Sequence, residues 1–342
     1  MIADIQIDEE IVMAADSDVG TVREQNEDFY FYSKPKKLFV VCDGMGGHRK
    51  GALASQIAAE TVRDVMLAND TLRDLVLQNK FFDLSKVCQD IEDDLPIAAQ
   101  KLIAGIRLAN RRILYVSAQD PEARGMGTTT SAMAVHDGLA IITHVGDSRV
   151  YRLRDGKLTC LTRDHSWLNE LIEDKEIGEE EVKTFQKKNV LTRALGLSPT
   201  VKIDLLIETV MSEDIYLICS DGLYNAASED FIQGELGLFH GSLQSKISSL
   251  IRNAKKLDGS DNITGGLVYV SGNVRPVSSH ITVKKTIKDE TPAITEYLDQ
   301  SVKTIYQNAS EKKSLHPKKT LIWALVVIIF LLAAFLMYQA VS

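Results

Sequence analysis

Residues 40–48 read Val-Val-Cys-Asp-Gly-Met-Gly-Gly-His: an apolar run, one carboxylate, three glycines within four residues, then a histidine. The run 38–42 is uniformly apolar, as expected of a buried strand. A hairpin turn needs only a glycine or two, so this loop is richer in glycine than a corner requires. Asp-Gly is also a common turn dipeptide, and the stretch gains meaning only from what recurs elsewhere.

It does recur. Asn26-Glu27-Asp28 precedes FYFY, Asp147 follows IITHVG, Asp221 follows IYLICS, and Asp261 lies in GSDNIT just before GGLVYV. Any one of these acids could be a local cap or Asx-turn; five at strand ends point to a shared purpose. Two like charges ~4 Å apart cost about 4 kcal/mol at an effective dielectric near 20. Converging carboxylates therefore either protonate or bind a cation. An all-oxygen set selects a hard ion, Mg²⁺ or Mn²⁺, and glycine lets a backbone carbonyl approach it. His48 in the glycine loop could donate a proton near neutral pH. His136, His144 and His165 lie in or beside expected strands and read as packed or surface residues.

The 342 residues are enough for a large core, and the net charge of −8 argues against nucleic acid as a partner. The four cysteines show no CxxC spacing, so they read as small buried hydrophobes rather than a zinc or disulfide framework. Residues 1–271 are expected to hold one mixed domain, dense from about residue 11. Strands are expected at 29–32, 38–42, 129–136, 139–145, 150–153, 215–219 and 265–270, with Asp-Gly turns at 137–138 and 155–156. Helical periodicity covers 52–67 and 97–115, the latter with Lys101, Arg107, Arg111 and Arg112 on its outer side. Residues 68–96 read as an acidic surface elaboration. This pattern predicts an α+β fold of antiparallel sheets covered by helices.

From 272 to 317 apolar density falls, and a tether is expected. The N-terminus lacks the pattern of a signal peptide. Residues 321–337 are uncharged and apolar throughout, which predicts one transmembrane helix within 318–342. Lys312, Lys313, Lys318 and Lys319 precede it, so everything N-terminal of it is expected on the cytoplasmic side of the cell (inner) membrane.

The ordered segments GTVREQNED, VVCDGMGGH, GMGTTTSAMAV, HVGDSRVYRLRDG, DHS, VLTRALG, LICSDGLYN and SDNIT resemble the metal-dependent protein phosphatases of type 2C, in their bacterial form. The resemblance implies a four-layer αββα sandwich, two antiparallel sheets flanked by helices. It implies that Asp43 bridges two divalent metals, with the Gly44 carbonyl binding one of them. Asp221 and Asp261 would hold the first metal and Glu27 the second, while Asp28 orients the attacking water. Arg23 would bind the substrate phosphate, His48 would be the general acid, and Asp147 with Asp221 would form a weaker third metal site. Two cations ~3.5–4 Å apart acidify water and stabilise a phosphoryl group in in-line attack. Where many relatives have a further acid, this chain has Asn225, which should weaken the third site. The charged stretch 165–190 corresponds to the family's flap, and Arg193 reads as a structural or flap-positioning residue, with phosphate contact the alternative.

The implied activity is hydrolysis of phosphoserine and phosphothreonine in proteins, with membrane serine/threonine kinases among the expected substrates. Two alternatives stand beside it: a membrane-anchored pseudophosphatase scaffold, and a phosphomonoesterase for small molecules.

Overall fold

The computed structural model describes residues 11–47, 49–68, 91–92, 94–173, 190–238, 241–272 and 281–288. Two antiparallel sheets face each other. The first runs in the order β1 (Ile11–Asp18), β12 (Ile263–Val270), β11 (Ile215–Cys219), β8 (Arg149–Arg154) and β9 (Lys157–Cys160). The second runs β13 (Thr282–Ile287), β10 (Ile203–Thr209), β7 (Leu139–Val145), β6 (Thr130–His136), β3 (Leu38–Cys42) and β2 (Phe29–Ser33). A short pair, β4 (Gly44–Met45) with β5 (Gly127–Thr128), sits beyond the end of β3.

Alternation along the strands makes the layers. Met13 and Ala15 of β1, Phe39 and Val41 of β3, and Tyr216, Ile218 and Val268 share the core between the sheets. Ala14, Leu217 and Leu267 point the other way, into a second core with α5 (Glu229–Gly237) and α6 (Leu243–Leu257). The helix α6 buries Leu243, Ile247, Leu250, Ile251 and Ala254, spaced by three and four, and Ser242 caps it by accepting the Ser245 amide. Gly266 explains the paired glycines of β12. A Cβ there would lie 1.8 Å from the Phe39 ring, so only glycine lets that ring cross the inter-sheet gap. On the far side of the second sheet pack α1 (Arg49–Leu67) and α2 (Ile97–Gln119), and the short α3 (Trp167–Glu173) follows β9 in the chain.

The expected architecture and both Asp-Gly hairpins are present: Asp137 and Gly138, like Asp155 and Gly156, have positive φ. Several expectations need correction. Arg107, Arg111 and Arg112 are buried (0, 3 and 4 % exposed) rather than outward. The α2 helix is covered on more than one side, and its guanidinium groups end on polar atoms: Arg112 donates to Thr61 Oγ1 at 2.9 Å and Arg107 to the Lys288 carbonyl at 2.7 Å. The tether expected from 272 includes β13, which pairs with β10 along its whole length. The folded domain therefore runs at least to Lys288. Among the described residues no helix is long and apolar enough to cross a membrane, and the expected anchor at 318–342 lies outside them.

Candidate active site

β3 delivers Asp43 to the end of the sandwich, and a run of threonines holds its backbone there. The Asp43 amide donates to Thr129 Oγ1 at 2.9 Å, and its carbonyl accepts from the Thr129 amide at 2.9 Å and Thr128 Oγ1 at 2.8 Å. The next residue lies in a cradle without side chains. A Cβ on Gly44 would stand 2.1 Å from the Gly51 carbonyl oxygen and 2.6 Å from that of Glu27. Close approach of three backbone segments fixes Glu27 beside Asp43, and Ser55 Oγ secures the same Glu27 carbonyl at 2.6 Å.

The remaining acids arrive from the first sheet. Asp147 occupies the β7–β8 turn, Asp221 opens α4 (Asp221–Ala226) after β11, and Asp261 precedes β12. Asn262 ties them to the N-terminal acids across the molecule. Its Oδ1 accepts the Glu27 amide at 2.8 Å, and its Nδ2 donates to the carbonyls of Val19 and Gln25 at 3.0 and 3.1 Å. Arg23, Glu27, Asp43, Gly44, Asp147, Asp221 and Asp261 all line one cavity of about 280 Å³. Asp28 stands behind it, buried, accepting from Ser220 Oγ at 2.7 Å. His48 lies outside the described residues.

Electrostatics mark the site as short of positive charge. Burial, aided by Asp28, Asp221, Asp147 and Asp261, pushes the Asp43 carboxyl far above its usual range. Burial raises Asp147 to about 7, with Asp221 adding to the effect, and raises Asp28 to about 7 against the hydrogen bond from Ser220. Asp221 rises through burial and the charge of Asp261, although it hydrogen-bonds Asp43. Arg23 pairs with Asp261 at 2.8 Å. Among the described residues no three acids or histidines close into a coordination shell as they stand. The donor set nevertheless fits hard divalent cations: carboxylate oxygens, a bare glycine carbonyl and raised proton affinities that a cation would reverse.

Other residues settle into structural places. His144 is buried between Ser131 Oγ (3.0 Å) and the Arg163 carbonyl (3.2 Å), and burial lowers it to about 3. His165 accepts the Gly146 amide and faces Asp204 at 3.1 Å. Arg193 joins that pair, 3.2 Å from both Asp204 and His165, anchoring the segment after the flap rather than lining the cavity. Residues 174–189 of the flap lie outside the described residues. Asn225 donates to Asp221 Oδ2 at 3.1 Å. Sequence reasoning assigned no role to Thr129, Ser220 or Asn262. Their quoted motifs, GMGTTT, CSDG and SDNIT, held the signal in polar residues flanking each acid.

The family model for protein phosphatase 2C matches residues 21–249. The chain belongs to the protein phosphatase 2C family. It is 34 % identical to the serine/threonine phosphatase stp of Listeria monocytogenes over 255 residues, covering 74 % of this chain and 93 % of that one. The crystal structure of the Mycobacterium tuberculosis serine/threonine phosphatase PstP/Ppp aligns with a TM-score of 0.63 at 29 % identity, covering 76 % of this chain and 99 % of the other. A structure of the PstP catalytic domain in complex with two manganese ions aligns with a TM-score of 0.60 at 29 % identity, covering 76 % and 98 %. This protein phosphatase 2C is accordingly a protein-serine/threonine phosphatase, a phosphoric monoester hydrolase, and the family is metal-dependent.

Proposed function

We propose that the Asp43 cavity hydrolyses phosphoserine and phosphothreonine in proteins using Mn²⁺ or Mg²⁺, at the cytoplasmic face of a membrane. The carrying observation is the convergence of Glu27, Asp43, Gly44, Asp147, Asp221 and Asp261 on one cavity. Two bound cations would acidify water and draw charge from the phosphoryl oxygens. In this reading Asp43 would serve both ions, Asp221 and Asp261 would hold one and Glu27 the other, and the Gly44 carbonyl would bind one of the two. Asp147 and Asp221 would hold a weaker third.

The chain's own residues do the rest. Asp28, fixed by Ser220, orients the attacking water from behind the cavity. Arg23, half-exposed at the mouth, pairs with the substrate phosphate through its planar fork. His48 protonates the leaving oxygen. No side chain attacks phosphorus: Cys42 and Cys219 are buried and their thiols are pushed well up, Cys42 to about 12.

The uncharged run 321–337 and the lysines before it support a tether. Anchoring raises effective concentration toward membrane phosphoproteins, serine/threonine kinases among them. Full-length protein in detergent or bilayers is to be offered a phosphothreonine peptide and sugar phosphates, with Mn²⁺ and then with chelator. Metal-dependent turnover favouring the peptide is expected; preference for the sugar phosphates would reassign the substrate class. Recovery of the protein in the soluble fraction of its cell would remove the tether.

A further inference from the structure

α4 carries Asp221, Tyr224 and Asn225 at the spacing of one helical turn. Asn225 steadies Asp221 from within the helix. Tyr224 instead reaches out to the β7–β8 turn, where its hydroxyl donates to the main-chain carbonyl of Asp147 at 3.0 Å. The ring is itself held. The Arg149 guanidinium carbon lies 3.8 Å from its centroid, and Asp164 fixes Arg149 with two hydrogen bonds of 2.9 and 2.7 Å. A line of contacts thus runs from Asp164 through Arg149 and Tyr224 to Asp147. It ends on the Asp147 backbone and leaves the Asp147 carboxylate to the cavity.

We propose that Tyr224 is a positioning residue that sets the reach between the Asp147 and Asp221 carboxylates, so that a divalent cation can be shared between them. The inference rests on the reading that these acids hold cations. Asp147 precedes β8 and Asp221 follows β11, and the ladder between these strands ends at the Arg149–Cys219 pair, two residues short of each acid. Beyond that last pair, Tyr224 ties the helix that opens with Asp221 to the turn that holds Asp147. Its face, packed by Arg149, restricts the ring to the orientation in which the hydroxyl meets the carbonyl. Phenylalanine would keep the ring and its cation contact and delete only the hydrogen bond.

The test is Mn²⁺ titration of the full-length protein by calorimetry, comparing native, Asp147→Asn, Asp221→Ala and Tyr224→Phe, with melting of each metal-free protein alongside. Asp147→Asn identifies the binding step that uses Asp147. Tyr224→Phe is expected to weaken that step about threefold to tenfold, the range of one hydrogen bond, with the tighter steps unchanged and the metal-free melting temperature lowered by no more than about 2–4 °C. A Tyr224→Phe isotherm that superimposes on the native one overturns the inference, as does equal weakening of every step. A metal-free melting temperature lowered well beyond the few degrees of one hydrogen bond also overturns it, because it marks the tyrosine as general scaffold. An Asp147→Asn titration identical to native does the same. A native protein that takes up no Mn²⁺, or an Asp221→Ala variant that binds like native, overturns the metal reading itself.

Discussion

Arg23 and Asp261 form a 2.8 Å ion pair at the mouth of the acidic cavity, with both side chains partly exposed. The pair joins the residue assigned to the phosphate with one assigned to a metal, and a cation at Asp261 would compete with the guanidinium. Removing Arg23 should therefore weaken substrate binding without weakening metal binding. Arg23→Ala is expected to raise KM for a phosphothreonine peptide about ten- to hundredfold, as for loss of a charged hydrogen bond. Arg23→Lys should recover only part of this, since a point charge lacks the fork. Steady-state kinetics beside Mn²⁺ calorimetry check both halves.

Asp43 is the acid most surrounded by other acids. Asp43→Asn should abolish Mn²⁺ uptake at the paired site and lower turnover on the order of 10³-fold or more. The metal-free variant should melt higher than the metal-free native protein at pH 8. The folded pKa of this group lies above its unfolded value, so the folded state is penalised once pH exceeds that value and the charge must be buried. Scanning calorimetry in chelator reads this directly.

Asp147 and Asp28 both lie near 7 in the folded protein. Their stabilising protonation is complete below about pH 4 and is lost as pH rises through 7. Metal-free protein should thus lose stability between pH 5 and pH 8, and Mn²⁺ should restore it. Mn²⁺ binding at pH 6 should release protons, measurable as a dependence of the binding heat on buffer ionisation enthalpy.

Asn262 spends its amide on Glu27, Val19 and Gln25. Asn262→Leu leaves those backbone groups without their partner and should cost about 1–3 kcal/mol. Because the Glu27 amide is one of them, turnover should fall as well, beyond what lost stability explains. Urea unfolding and assays well below the melting temperature separate the two effects.

The parts legible in the sequence are those with local causes. β3 and its Asp43 stand out because five apolar residues end abruptly in acid and glycine, and the two Asp-Gly turns declare themselves by composition. β10 escaped because it is buried at nearly every position and lacks the alternation of a half-exposed strand. β13 reads as linker because an edge strand carries Lys284 and Lys285, which discourage further pairing. The arginines of α2 obey helical periodicity yet are buried, since nothing local announces what covers a helix's second side. Asn262 reaches Glu27 across 235 positions and Tyr224 reaches Asp147 across 77. Such contacts exist only once the sheets have met.

The most direct measurement is anomalous diffraction at the manganese edge from crystals of the active protein grown with Mn²⁺. The account predicts two strong peaks in the cavity with Asp43 between them, Asp221 and Asp261 on one ion, Glu27 on the other, and the Gly44 carbonyl on one of the two. A protein that turns over phosphopeptide in the same crystals, yet shows no anomalous density beside Asp43, would contradict it.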